Sequence, residues 1–75
     1  MAKSPRITGA EAVRAFERAG FHLDRTRGSH HILKKAGHPL LLSVPVHRGE
    51  TLGVGLLIAL VEAAGLTPDE FAALL

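Results

Sequence analysis

Apolar residues recur at helical spacing near the start of the chain, at Ala12, Val13, Phe16 and Ala19. Thr8 precedes them with Glu11 three residues on, the spacing of a capping box, and Gly20 follows as a helix stop. This predicts a helix over about 9–19 with Arg14 and Arg18 as an i,i+4 basic pair on its polar side. The period then changes to two. Phe21 to Arg25 alternates as a half-buried strand does. Gly28-Ser29 reads as a hairpin turn, and Ser29 to Lys35 as a second strand. Ala36-Gly37-His38-Pro39 is a second turn signal, and Leu40 to Val46 a third strand whose Pro45 marks an edge or a terminus. Short turns favour an antiparallel meander, one face of which needs a cover.

The C-terminal part supplies that cover. Residues from about 54 to 64 read as a helix stopped by Gly65. Thr67-Pro68-Asp69-Glu70 then opens a short last helix with a cap, a proline at the first position and acids in the first turn. The order α-β-β-β-α-α predicts an α+β layer, with helices on one face of a three-stranded antiparallel sheet. The second helix is unusually apolar. Val54, Leu57, Ile58 and Val61 form a stripe that Leu56 and Leu60 widen, and Gly55, Ala59 and Ala63 form a small-residue ridge. The simpler expectation packs this ridge against the first helix; the alternative leaves part of the apolar surface to a partner protein.

Length and composition narrow the class. Seventy-five residues, 47% of them hydrophobic, are expected to form one domain over 1–75 with a small core and marginal stability. No cysteine is present, so a disulfide framework and a thiolate metal site are excluded, and a cytoplasmic location is expected. Met1 to Pro5 lacks the apolar stretch of a signal peptide. The longest apolar run, Leu52 to Val61, falls short of the roughly 20 residues a bilayer needs, so no membrane role is expected. The net charge is only +2, but it is segregated. All nine Lys and Arg lie within residues 1–48 against three acids, whereas residues 49–75 hold four acids and no base. A basic half of this kind points to a polyanion as its partner, the plainer alternative being that a small domain segregates charge by chance.

The chemistry concentrates in Arg25-Thr26-Arg27-Gly28-Ser29-His30-His31-Ile32, followed by Lys34 and Lys35. Imidazole moves protons near neutral pH, and guanidinium and ammonium groups hold phosphates. Together they are the equipment of a metal-free ribonuclease, although a His-rich surface hairpin would look similar. Arg14, Arg18, Arg25, Arg27, Lys34, Lys35 and Arg48 are the candidate RNA contacts. His22 reads as structural or surface, His38 as a solvated turn residue, and His47 as either a strand-end surface residue or a functional one. No H-x-x-x-H or H-E-x-x-H spacing occurs, so neither a metal nor another cofactor is expected. Three Phe with no Tyr or Trp supply few stacking platforms, which predicts weak sequence preference on RNA.

The ordered set Gly20-Phe21, Gly28-Ser29-His30, Val44-Pro45 with His47, and Ala64-Gly65-Leu66 before Thr67-Pro68-Asp69-Glu70-Phe71 resembles the HicA toxins, or YcfA-like family, of toxin–antitoxin pairs. The resemblance covers nearly the whole chain. It implies a double-stranded-RNA-binding-type α-β-β-β-α domain, ribosome-independent mRNA cleavage, and silencing by a HicB-type antitoxin. It also implies that His30 is the catalytic histidine and Gly28 the hairpin glycine, with Pro45 and His47 at recurrent positions. One departure stands out. The family commonly enters its long helix through Gly-Thr-Leu and carries bases within it, whereas here Gly55-Leu56-Leu57 enters a helix with no base.

Cleavage by such a site needs little machinery. The RNA 2′-hydroxyl is a built-in nucleophile, so a base to take its proton and an acid for the 5′-oxygen suffice. His30 is assigned as base or acid; His31, His47, Lys34 and Arg27 are candidates for the second role. In a strand His30 and His31 point to opposite faces, which argues against a dyad. Gly28 serves the turn, where a residue tolerant of positive φ is needed. Two other readings remain: an RNA-binding module without catalysis, and a protein-interaction domain built on the apolar C-terminal half.

Overall fold

The computed structural model describes residues 6–75; the segment read for a signal peptide lies outside them. Six elements follow in the order α1 (Gly9–Arg18), β1 (His22–Arg27), β2 (His30–Lys34), β3 (Leu42–Pro45), α2 (Val54–Ala63) and α3 (Pro68–Ala72). The sheet is antiparallel in the order β1-β2-β3, as the meander predicted.

The helix ends are set by local chemistry. Thr8 and Glu11 form the expected capping box on α1, the Thr8 amide donating to the Glu11 carboxylate at 2.9 Å. Thr67 and Glu70 repeat it on α3. Gly20 and Gly65, both at positive φ, close α1 and α2 with paired bonds to the preceding turn, Phe21 to Phe16 and Leu66 to Val61 being the longer ones. By contrast, α2 starts at Gly53 with no side-chain cap.

The core lies between the helices and one face of the sheet. Phe16, Leu33, Leu42 and Val44 are its largest fully buried side chains. All three phenylalanines meet there, with Phe16 tilted on Phe71 at 5.1 Å and edge-on to Phe21 at 6.1 Å. α1 approaches β3 backbone to backbone at Gly9, where an added Cβ would lie 2.1 Å from the Pro45 carbonyl oxygen. The loop before α2 is tied to the start of α1 by a Leu52 amide bond to the Ile7 carbonyl at 2.7 Å and a Thr8–Thr51 bridge.

Four sequence expectations need correction. β1 runs His22–Arg27 rather than from Phe21, and all six of its residues are exposed. The cause is what lies over each strand: α1 and α2 pack on β3, which is equally an outer strand, and leave β1 uncovered, so the buried sheet residues come from β2 and β3. β3 is confined to Leu42–Pro45, leaving Leu40 and Leu41 in an exposed loop beyond the Leu33–Leu42 pair that ends the ladder. α2 buries Leu57, Leu60, Val61 and, just past its end, Ala64, while Val54, Leu56 and Ile58 face outward. Two of the three ridge residues face outward too: Gly55 and Ala59 are exposed, and a Cβ on Gly55 would meet nothing within 4 Å, while Ala63 packs half-buried against the core. An all-apolar helix carries no periodic signal of which side turns inward. Finally, His38 is not a free turn residue. Its Nε2 lies 2.6 Å from the Ala63 carbonyl oxygen, and its ring stands edge-on to Phe21.

The two helix-start glycines should respond oppositely to a methyl group. Gly9→Ala is expected to cost about 1–3 kcal/mol by forcing α1 off β3. Gly55→Ala should be neutral or stabilising by up to about 1 kcal/mol. Urea unfolding midpoints at constant m-value would report both.

Candidate active site

The geometry of the site starts at the turn. Arg27 and His30 are cross-strand partners, so Gly28 and Ser29 form a two-residue hairpin loop. Gly28 takes φ +59°, and no non-glycine residue among those described has positive φ, so Ser29 does not. Positive then negative φ is the pattern of a type II′ turn, whose twist matches that of the flanking strands. Gly28 therefore has the geometric role read from the sequence.

The register then sorts side chains between the two faces. Leu33 pairs with Leu23 and Leu42, and His31 with Thr26 and Val44, which places them on the helix-covered face. His30 pairs with Arg27 and Pro45, and Ile32 with Arg25 and Ser43, on the opposite face. Ile32 is buried but lies outside the main core cluster, as that placement requires. His30 is exposed and His31 half-buried, so the alternation expected of adjacent strand residues holds up to the turn.

A second histidine reaches this corner of the sheet. The ladder continues one residue past β3, with the Val46 amide donating to the Ser29 carbonyl at 2.8 Å. Next along the chain, His47 Nε2 lies 3.3 Å from Ser29 Oγ. His47 also lines a cleft of about 250 Å³ with Pro45, Glu50, Thr51, Leu52, Gly53 and Leu56. Arg48 follows it, exposed. The turn thus gathers Arg27, Ser29, His30, Pro45 and His47.

The other cations have different surroundings. A bulge between Leu23 and Arg25 sets Asp24 out of the β1–β2 register. Its carboxylate pairs with Arg25 and, at 3.1 Å, with Lys34. Hydrogen bonds from Lys34 and then Arg25 hold the Asp24 carboxyl below the usual aspartate range. Lys35 lies over the Phe21 ring, 5.6 Å from its centroid, and its stem packs at Gly20. Arg18 Nη1 donates to the Leu74 carbonyl at 2.7 Å, tying α1 to the C-terminal segment. Arg14 is exposed on α1. His22 pairs with Lys34 at the end of the sheet away from the turn. The sequence signals for Asp24 as a partner of Lys34 and for His38 as a helix-end ligand were too weak to read, because a bulge and a long loop bring them into place.

Among the described residues no helix is long and apolar enough to cross a membrane, and no three or more His, Asp or Glu side chains are grouped as metal ligands.

An α+β layer with a basic, histidine-bearing hairpin is thus the frame on which the sequence resemblance can be tested. Residues 9–66 match the family described as HicA toxin of bacterial toxin–antitoxin, so the class is that of a small toxin acting within such a pair. The chain belongs to the HicA toxin family, and an antitoxin partner comes with that membership. No curated protein matches the chain.

Asp24→Asn tests the charge cluster. A carboxyl whose pKa is lowered by folding stabilises above its unfolded pKa, and that contribution is lost as pH falls through the folded value. The variant should therefore flatten the acid side of the stability–pH curve, below about pH 4 where an ordinary aspartate titrates. It should also release Lys34 and Arg25, tightening salt-sensitive RNA binding in a titration at low ionic strength.

Proposed function

We propose that the chain is an endoribonuclease that cleaves mRNA without a metal ion, with His30 as the proton-transfer group that activates the 2′-hydroxyl. The observation that carries this reading is the placement of His30: exposed, on the open face of the sheet, next to a rigid turn and directly across from Arg27. A phosphate held by Arg27 would bring the adjacent ribose to the imidazole. His30 takes the 2′-hydroxyl proton, the 2′-oxygen attacks phosphorus, and the 5′-oxygen leaves as a hydroxyl. The products are a 2′,3′-cyclic phosphate and a 5′-hydroxyl end. DNA lacks the nucleophile and is inert.

Arg14, Arg18, Arg25, Arg48, Lys34 and Lys35 complete the proposed RNA-binding set, of unequal weight. Arg25, Lys34, Lys35 and Arg18 already have protein partners, so Arg27 and Arg48 beside the histidines carry most of the phosphate contact. The supporting residues are Gly28, which sets the turn, and His31 and His47; the half-buried, inward place of His31 supports a packing role for it. Scarce aromatic side chains support cleavage with little base preference. The proposed setting is the cytoplasm.

The purified protein is expected to cut single-stranded RNA in EDTA and to leave DNA intact. His30→Ala should lower the rate on the order of 10²–10⁴-fold with unchanged circular dichroism. Products ending in 5′-phosphate would rule out the mechanism. RNA binding that survives His30→Ala, with no cleavage by wild type, would favour the non-catalytic RNA-binding module.

We further place the partner, an antitoxin of HicB type, on the apolar C-terminal half. A groove of about 510 Å³ runs between α2 and α3, with Val54, Ile58 and Leu75 exposed along it and the acids Glu62 and Asp69 among its lining residues. Its charge suits an amphipathic segment with basic flanks. Ile58→Glu should leave RNA cleavage and folding unchanged and weaken capture of a co-expressed HicB-type antitoxin at least tenfold. Unchanged capture would move the partner to another face.

A further inference from the structure

We infer that His47, held by Ser29, is the second proton-transfer group of the site: it protonates the departing 5′-oxygen while His30 removes the 2′-hydroxyl proton. The inference rests on the ribonuclease reading above and fills the role which the sequence left open among His31, His47, Lys34 and Arg27.

The structure separates those four. His31 pairs with Val44 on the helix-covered face, away from His30. Lys34 sits four residues along β2, roughly 13 Å away at about 3.3 Å per residue, and is engaged by Asp24. Arg27 is directly opposite His30, but a guanidinium does not release its proton at working pH, so it holds charge and transfers nothing. His47 remains, and its place fits the task. The ladder bond from Val46 to Ser29 carries the β2–β3 pairing past Pro45 to the turn, and His47, the next residue, contacts Ser29 there, so it lies at the hairpin corner that also holds His30. Ser29 directly precedes His30, so this contact brings the two imidazoles, from separate segments of the chain, to one turn.

Ser29 supplies the aim. In the imidazolium form both ring nitrogens of His47 carry a proton. Nε2–H donates to Ser29 Oγ, 3.3 Å away, and leaves Nδ1–H for the leaving oxygen. The step balances without a further reactant. The 2′-oxygen loses its proton to His30, the bond from the 2′-oxygen to phosphorus forms, the bond from phosphorus to the 5′-oxygen breaks, and that oxygen takes the Nδ1 proton of His47. Exchange with water then returns the proton from His30 and restores that of His47. Arg27, Arg48 and Glu50 are the charged neighbours of this pair in sequence and register.

The test uses two RNA oligonucleotides, identical except that one carries sulfur in place of the bridging 5′-oxygen at a single linkage. A thiolate, with a conjugate acid near the cysteine value of about 8.5, leaves without being protonated. The full chain, His47→Ala, His47→Gln and His30→Ala are compared on both. The glutamine variant can still contact Ser29 but has no titratable proton, which guards against a loss caused by misfolding alone. Both His47 variants should lose about 100-fold or more on the oxygen linkage and return to within about tenfold of wild type on the sulfur linkage. His30→Ala should be impaired on both. Equal impairment of the His47 variants on the two linkages, or none on the oxygen linkage, overturns the assignment and leaves the ribonuclease reading standing. Failure of wild type on both linkages overturns the ribonuclease reading, and this assignment with it.

Discussion

Leu33 fixes the pleat of β2, and everything at the candidate site inherits its direction from that one buried side chain. Because strand side chains alternate, burying Leu33 against Leu42 and the helices turns Ile32 and Lys34 outward. Carried back to the turn, the same alternation turns His30 outward and His31 inward. A slip of one residue would exchange the two histidines and bury the wrong one. Two features guard the register at the turn end of the sheet. The Gly28-Ser29 loop admits only one pairing of Arg27 with His30. Beside it, the close seat of Gly9 on Pro45, the β3 partner of His30, locks β3 under α1.

The cations that look like one collar in the sequence turn out to have separate duties. Lys34 and Arg25 share the bulged Asp24, Lys35 covers Phe21, and Arg18 braces the C-terminal segment. What distinguishes Arg27 and Arg48 is proximity to the two histidines, one across the strand pair and one along the chain. Segregation of charge along the sequence therefore overstates how many of the cations are free to meet a phosphate. The C-terminal half has the complementary character, with apolar residues that the chain does not cover and acids that no base within residues 49–75 offsets.

How much of this was legible in the sequence depends on the range of the forces involved. Thr8 with Glu11, Gly20, the Gly28-Ser29 turn and Thr67 with Glu70 were readable because each acts over three or four residues. The outward face of His30 was readable for the same reason, since the turn beside it fixes its direction. The facing of α2 was not, because a helix apolar on every side has no preferred period. The exposure of β1 was hidden as well: the alternation of Phe21 to Arg25 describes a strand, while its lateral place in the sheet decides what covers it. The sequence misreads His38 as a solvated turn residue and leaves His47 ambiguous because their partners, Ala63 and Ser29, lie 25 and 18 residues away.

The bulge at Asp24 has a bearing on what many copies of this chain do together. An open outer strand is a template onto which a second molecule can zip its own backbone, and repetition of that step builds fibrils. β1 is such a strand, six residues long and uncovered. The extra residue at Asp24 interrupts its row of free amides and carbonyls, and Arg25 and Arg27 would meet their own kind on an identical neighbour. A kink in the backbone thus works against the zipping of one molecule onto the next along this edge of the sheet.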